Sequence, residues 1–173
     1  MDKKRIIVVC PGRGTYTRET SGYLAKYGKF RKDQISWMDK QRENEGLKSL
    51  SSLDLKPFQS KIHMVGENAS TLIFACSISD FSCIDQKKYE VVSIIGNSMG
   101  WYTTLVLGNV LSIKQGYELI HTMGSMMKNQ IIGGQIIYPT VDNDWIGNKE
   151  KKTNIISQVK NAGCYISIDL GGY

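Results

Sequence analysis

Residues 89–100 read YEVVSIIGNSMG, and this stretch decides the fold class. Its first seven residues form an apolar, β-branched run, which is typical of a central strand in a parallel sheet. Gly96 ends the run, and residues 99–107 (MGWYTTLVL) predict a helix directly after it. A strand joined to a helix by a tight glycine turn is a unit of α/β architecture. The sequence therefore predicts an α/β protein with a parallel sheet.

The turn itself reads Gly96-Asn97-Ser98-Met99-Gly100, which is the GxSxG pattern of a nucleophile elbow. On such a turn the serine backbone is strained, and small neighbours let the chain pass closely. The hydroxyl then lies at a helix N-terminus, where backbone N–H groups face a developing oxyanion. An inert serine in a glycine-rich turn is the alternative. We predict that Ser98 is a nucleophile.

A second loop is predicted to meet this turn. Residues 5–10 form a short apolar strand, and Gly12-Arg13-Gly14 follows it after Pro11. This loop lacks the spacing of either common phosphate-binding motif, so a nucleotide site is not indicated. Because α/β sites gather at the carboxyl ends of neighbouring strands, the loop can bring a backbone N–H toward Ser98.

The rest of the chain alternates helical and extended patterns. Ser112 to Gln115 has the sequence of a capping box, which starts a helix that carries Met123. Residues 31–56 are polar, and Ser49, Ser51 and Ser52 lie in a loop-like stretch. The remaining predictions are a short helix at 17–30, a buried helix at 67–83, strands at 135–141 and 164–170, and a helix at 151–162.

Length and composition set broad limits. The chain has 173 residues, of which 41% are hydrophobic and 22% charged, and its formal charge is +6. It contains no apolar run long enough to span a membrane or to form a signal peptide, so we expect a cytoplasmic protein with no membrane partner. The basic residues are scattered without interleaved aromatics, which argues against a nucleic-acid partner. A basic surface would instead suit an acidic partner or a phosphorylated cofactor.

Candidate bases and metal ligands are few. The four cysteines form no CxxC pair, so we expect reduced core cysteines and no metal site. Ser98 needs a base, and the chain offers only His63 and His121. His121 is interpreted as a surface residue, and His63 precedes the buried helix. Neither is a convincing base.

At this point the residues resemble a known family, the malonyl-CoA:acyl carrier protein transacylases and the acyltransferase domains of polyketide synthases. The resemblance rests on Pro11 to Gly14, on the elbow with its continuation to Leu105, and on the junction Gly108-Asn109-Val110-Leu111-Ser112. It implies an α/β-hydrolase-like large subdomain and a ferredoxin-like small subdomain. Residues 1–130 would then be an incomplete large subdomain, and residues 131–173 the truncated first part of the small one.

The resemblance also implies a reaction. An acyl group, malonyl by family, would pass from coenzyme A to an acyl carrier protein through an acyl-enzyme on Ser98, with no bound cofactor. The N–H groups of Arg13 and Met99 would hold the oxyanion, and Gly12, Gly14, Asn97 and Met123 would bind substrate. The family's catalytic histidine would lie beyond residue 173, so we expect the gene to continue for another hundred or more residues.

Departures from the family pattern leave alternatives open. Arg13 stands where the family has Gln, Asn97 where it has His, and Trp101 where it has an acidic residue. Met123 stands where malonyl-specific members carry an Arg that grips the malonyl carboxylate. An uncharged acyl group is therefore one alternative to malonyl. An acyl-thioester hydrolase on the same scaffold is another, and an inactive, truncated member is the third.

Overall fold

The structure is a computed structural model that describes residues 2–126, 128, 134 and 136–172. The chain divides into two compact units, Met1–Gln130 and Ile131–Tyr173. In the described part of the first unit, β1 and β2 form the sheet, and short 3-10 helices occur at Arg18–Thr20 and Gly28–Arg31. The elements are β1 (Lys4–Cys10), α1 (Tyr23–Tyr27), α2 (Lys32–Asn44), α3 (Leu50–Asp54), α4 (Ser60–His63), α5 (Gly66–Ser82), β2 (Tyr89–Gly96), α6 (Gly100–Leu107), α7 (Ile113–Ser125) and α8 (Lys149–Asn161).

β1 and β2 run parallel, which confirms the parallel pairing expected for an α/β protein. Their carboxyl ends are level, because Cys10 pairs with Gly96. The described sheet contains only these two strands, so β2 is an edge strand and the prediction of a central strand is wrong. The reason is that its apolar run marks burial potential, whereas the number of neighbouring strands depends on distant segments.

α5 is the central helix of the first unit, and its burial confirms the helix predicted at 67–83. Most of its residues are buried, including Leu72 and Phe74. α7 packs closely on it, because a Cβ on Gly116 would lie 3.4 Å from the Phe74 ring. The predicted capping box is also confirmed: the Gln115 N–H donates to the Ser112 hydroxyl at 3.2 Å.

Residues 31–56 contain α2 and α3. Ser51 and Ser52 belong to α3 and Ser49 is its N-cap, so the loop predicted at these serines is wrong. A buried cation explains the difference. Arg42 is fully buried, and its guanidinium donates to the carbonyls of Lys48 (2.7 Å) and Glu67 (2.9 Å). The Thr71 hydroxyl, at 3.0 Å, and the Asn68 amide oxygen accept its other bonds. These hydrogen bonds compensate for the burial of the guanidinium charge, so the polar helix α2 can pack into the core.

A buried carboxylate organises the residues that precede α2. Asp54 accepts a hydrogen bond from the Tyr16 hydroxyl at 2.7 Å and from the Leu24 N–H at 3.0 Å. The single helix predicted over 17–30 is therefore divided, and only Tyr23–Tyr27 is α-helical. Asp54 holds the first turn of that helix through its otherwise unpaired N–H groups.

The second unit corrects two further predictions. α8 confirms the helix predicted near 151–162, but residues 164–170 form no strand. In the segment predicted as a strand at 135–141, residue 135 lies outside the described residues, and Val141 makes only an isolated antiparallel bridge to Gly147. Ile137 and Tyr165 are exposed, and a strand needs a neighbouring ladder that this region does not provide. Neither predicted strand is thus formed within residues 136–172, and the ferredoxin-like subdomain stays a prediction.

Two further predictions concern burial and membrane contact. Cys10 is buried, but Cys83 and Cys164 are exposed, so the prediction of core cysteines fails for those two. Cys83 is the C-cap residue of α5, and Cys164 follows the end of α8, so both lie at helix ends that the described residues leave exposed. Among the described residues, no helix is long and apolar enough to cross a membrane.

Candidate active site

Ser98 occupies the turn between β2 and α6, with its side chain exposed. Its φ angle is +52°, a left-handed conformation that a residue with a side chain rarely adopts. Strain of this kind persists only where the surrounding structure enforces it, and it concentrates at functional sites. Ser98 therefore has a strained, left-handed backbone at the turn for which the sequence predicts a nucleophile elbow.

Close backbone packing enforces that geometry. A Cβ on Gly100 would lie 2.2 Å from the Cys10 carbonyl oxygen, and a Cβ on Gly96 would lie 2.4 Å from the Gly100 carbonyl carbon. Real Cβ atoms do not approach so closely, so both positions exclude any larger residue. The start of α6 is therefore pressed directly onto the end of β1.

The loop after β1 meets the serine from the other side. A Cβ on Gly12 would lie 3.1 Å from both the Ser98 Cβ and the Asn97 carbonyl oxygen. The Asn97 N–H donates to the Cys10 carbonyl at 3.1 Å, which fixes the two strand ends together. Gly14 has a φ of +105° and is exposed, so it turns the loop away at a position that favours glycine.

The hydrogen bonds of the turn leave donors available at its centre. The Gly100 N–H donates to the Asn97 carbonyl at 2.8 Å, and the Trp101 N–H donates to the Ser98 carbonyl at 3.1 Å. Within the part of the chain that the structure describes, the Met99 N–H makes no backbone hydrogen bond. This donor stands at the N-terminus of α6, where the helix dipole favours a negative charge.

The side chain of Arg13 extends toward a helix crossing. Its Nη1 atom lies 3.1 Å from the position of a Cβ on Gly66, at the start of α5. Gly66 in turn packs on Gly124 of α7, since a Cβ on Gly66 would lie 2.6 Å from the Gly124 carbonyl oxygen. Met123 is the neighbour of Gly124 in sequence and is 39% exposed. The structure thus brings the Arg13 guanidinium to the crossing beside which Met123 lies.

Neither histidine is available as a base for Ser98. His63 is buried, its Nδ1 accepts from the Gln59 N–H at 3.0 Å, and its Nε2 lies 3.0 Å from the Leu53 carbonyl oxygen. Both ring nitrogens are therefore occupied. The interpretation of His121 as a surface residue is wrong: it is only 9% exposed, and its Nε2 lies 2.7 Å from a carboxylate oxygen of Glu45. Its ring stacks on Tyr117 and contributes to packing.

Cys10 is the other nucleophilic side chain near the turn. It is buried at the end of β1, and this burial raises the pKa of its thiol. A protonated, enclosed thiol is a poor nucleophile, so Ser98 is the exposed candidate nucleophile of this turn. No cluster of three or more metal-ligating side chains occurs in the described ranges of the chain.

Sequence reasoning treated Trp101 only as a departure from a family pattern and missed its position. Trp101 is the second residue of α6 and is 61% exposed beside Ser98. The available signal was a large aromatic residue directly after the second elbow glycine, in the first turn of the predicted helix. Such a residue stands next to the reacting group if the elbow forms.

Comparison with solved structures identifies a similar fold in the malonyl-CoA acyl carrier protein transacylase of Coxiella burnetii. The TM-score is 0.59 at 16% sequence identity, over 98% of this chain and 62% of that one. The chain therefore shares an α/β fold with that protein and spans 62% of its length. No protein-family model matches the sequence, and no curated protein is significantly similar to it.

Proposed function

We propose that the protein is an acyltransferase that moves an acyl group from coenzyme A to an acyl carrier protein through an ester on Ser98. The observation that supports the proposal is the strained turn at Ser98: an exposed serine at φ +52°, held between the Gly12 loop and the start of α6. The fold shared with a solved transacylase, together with the resemblance of residues 11–14, 96–105 and 108–112, indicates the class of reaction.

In the first half-reaction the Ser98 Oγ attacks the thioester carbonyl carbon and gives its proton to a base. The negative oxygen that forms would be held by the N–H groups of Met99 and Arg13, each a donor at a fixed backbone position. The carbon–sulfur bond then breaks, and the coenzyme A thiolate leaves with the proton. Gly12, Gly14 and Asn97 would line this site, because Asn97 belongs to the turn, Gly12 contacts it and Gly14 shapes the loop.

In the second half-reaction the phosphopantetheine thiol of the carrier protein attacks the ester carbon, and Ser98 regains its proton as the leaving group. His63 and His121 are engaged elsewhere, so the role of the base is assigned to neither of them. The net charge of +6 would favour an acidic carrier protein.

Mass spectrometry of the intact protein after incubation with acetyl- and butyryl-CoA tests the proposal. We expect a mass increase equal to the acyl group, located by proteolysis on the peptide that contains Ser98. Ser98→Ala should abolish the adduct, whereas Ser93→Ala, which changes an exposed serine on β2, should retain it. An adduct that persists in Ser98→Ala, or no adduct with any thioester, contradicts the proposal. Release of free acid in place of transfer to the carrier protein indicates a hydrolase.

A further inference from the structure

Trp101 is fixed beside Ser98 by its main chain. The Trp101 N–H donates to the Ser98 carbonyl at 3.1 Å. Gly96 packs closely against the backbone of Trp101, because a Cβ on Gly96 would lie 2.6 Å from the Trp101 nitrogen. This packing fixes the position of the Trp101 main chain. Helical side chains tilt toward the N-terminus of their helix, so a side chain in the first turn leans toward the segment before it. For Trp101 that segment carries Ser98.

The Trp101 side chain is largely exposed in the described part of the chain. It is 61% exposed, and no aromatic, cationic or hydrogen-bonding partner is found for it among the described side chains. Trp37 shows the contrast, because its ring packs edge-on against Tyr117 at 5.5 Å and lies under the Lys114 ammonium. An exposed tryptophan without a packing role, next to a reactive serine, is suited to contact a ligand.

Its position decides which part of a thioester it can touch. A group attached to Ser98 lies within about one helical turn of the Trp101 backbone. The nucleotide end of coenzyme A is separated from the thioester by the whole pantetheine arm, so the indole meets the acyl group. An indole face offers apolar area and a negative quadrupole, which favours alkyl chains and disfavours a carboxylate.

We propose that Trp101 is a specificity-determining residue that makes an uncharged, apolar acyl group such as butyryl a better substrate than malonyl. This inference rests on the acyltransferase proposal for Ser98.

Binding and acylation are measured separately to test it. Calorimetric titration of Ser98→Ala with butyryl-, acetyl- and malonyl-CoA gives affinities without reaction. Intact-protein mass spectrometry of the parent chain gives the relative rates of acylation. We expect butyryl-CoA to bind about tenfold more tightly than malonyl-CoA, because butyryl has one additional methylene group and a methyl group to bury where malonyl has a carboxylate. Trp101→Ala should remove most of this preference, and Trp101→Phe should retain most of it.

Trp145→Ala is the matched control, because it removes another exposed indole that lies in the second compact unit. Circular dichroism checks that each variant keeps its helices. The inference is overturned if malonyl-CoA binds most tightly, or if Trp101→Ala and Trp145→Ala change selectivity equally. In either case acylation of Ser98 still supports the acyltransferase proposal. If no thioester binds and none acylates Ser98, the acyltransferase proposal fails and the inference fails with it.

Discussion

Gly100 is the residue on which the elbow depends most directly. We predict that Gly100→Ala lowers the free energy of unfolding by about 1–3 kcal/mol, since the new methyl group would overlap the Cys10 carbonyl oxygen at 2.2 Å. The strand end and the helix would have to separate, which moves Ser98. Acylation should therefore be lost even where the variant is folded. Urea unfolding and mass spectrometry of the acyl-enzyme measure the two effects.

Gly147→Ala provides the comparison for this prediction. A Cβ at Gly147 meets no atom within 4 Å, and the residue lies in the second unit. We expect this variant to unfold and to acylate like the parent chain. A Gly100→Ala variant as stable and as reactive as Gly147→Ala would show that the turn tolerates the methyl group.

Met123 is the residue at which a charge should alter the choice of substrate. A malonyl carboxylate that enters a partly dry site loses hydration, and Met123 offers no compensating charge. We predict that Met123→Arg raises the ratio of malonyl to butyryl acylation by about tenfold or more, since a charged hydrogen bond contributes about 1.5–3 kcal/mol. Competition between the two thioesters, read by mass spectrometry, measures the ratio directly. Met123→Leu is the control, because it changes the shape of the side chain and adds no charge.

Arg13 decides how a contrary result is interpreted. Its guanidinium already lies at the crossing of α5 and α7, beside the neighbour of Met123. If the parent chain prefers malonyl and Arg13→Ala removes that preference, Arg13 supplies the charge and the prediction for Met123 is wrong. If neither Met123→Arg nor Arg13→Ala changes the ratio of malonyl to butyryl acylation, the acyl group contacts neither residue.

At the scale of the element, α7 is held in the core by a buried tyrosine. Tyr117 is almost fully buried, and desolvation raises its pKa from 10 to about 12. Because the folded state disfavours the phenolate, its contribution to stability is complete below the unfolded value and is lost as the pH rises toward the folded value. We therefore predict that the free energy of unfolding falls by roughly 2–3 kcal/mol from this residue between about pH 10 and 12.

Tyr117→Phe should reduce the fall in the free energy of unfolding between about pH 10 and 12, but should not abolish it. Tyr23 contributes in the same direction, because burial and the Asp80 carboxylate raise its pKa to about 12. Tyr165→Phe changes an exposed ring and should leave the profile unchanged. Urea unfolding at several alkaline pH values measures the slopes, and identical slopes in Tyr117→Phe and the parent chain would contradict the assignment.

The elements also show what a sequence can predict. α5, β2 and α7 were predictable because periodicity, a β-branched run and the Ser112 capping box are local signals. α2 was missed because the carbonyl partners of Arg42 lie 6 and 25 residues away from it in sequence. The burial of His121 was missed for the same reason, since Glu45 is 76 residues distant.

The candidate site divides in the same way. The turn at Ser98 is encoded within five consecutive residues, so its strained backbone was predictable from the sequence. The approach of Gly12 followed from the rule that parallel strands end at one edge. The exposure of Trp101 and the path of the Arg13 side chain depend on which surfaces other elements cover, and no local pattern encodes that.

At the scale of the whole molecule, the first unit covers one face of its sheet and exposes the other. Val8, Cys10 and Ile94 belong to or pack against the helical core. On the opposite face, Ile7, Val9 and Ile95 are 60%, 62% and 46% exposed. Parallel sheets are normally covered on both faces, and an unpaired strand edge invites association with other chains. A groove of about 320 Å³ also runs beside β1. The first unit thus exposes an apolar surface, formed by Ile7, Val9 and Ile95, on the same sheet whose strand ends carry the candidate site.

We therefore predict that the 173-residue chain associates as its concentration rises through about 1–100 μM, and that Ile7→Lys combined with Val9→Lys reduces this association. The charged side chains would project from the exposed face, so the packing of Val8 and Cys10 against the helices is retained. Leu55→Lys changes one exposed apolar residue far from the sheet in sequence and should leave association unchanged.

Light scattering coupled to size-exclusion chromatography measures the mass of each species, and circular dichroism checks the fold. A parent chain that stays monomeric over the whole range would show that this apolar face is tolerated in water. Association that Leu55→Lys lowers as much as the double variant would place the contact elsewhere.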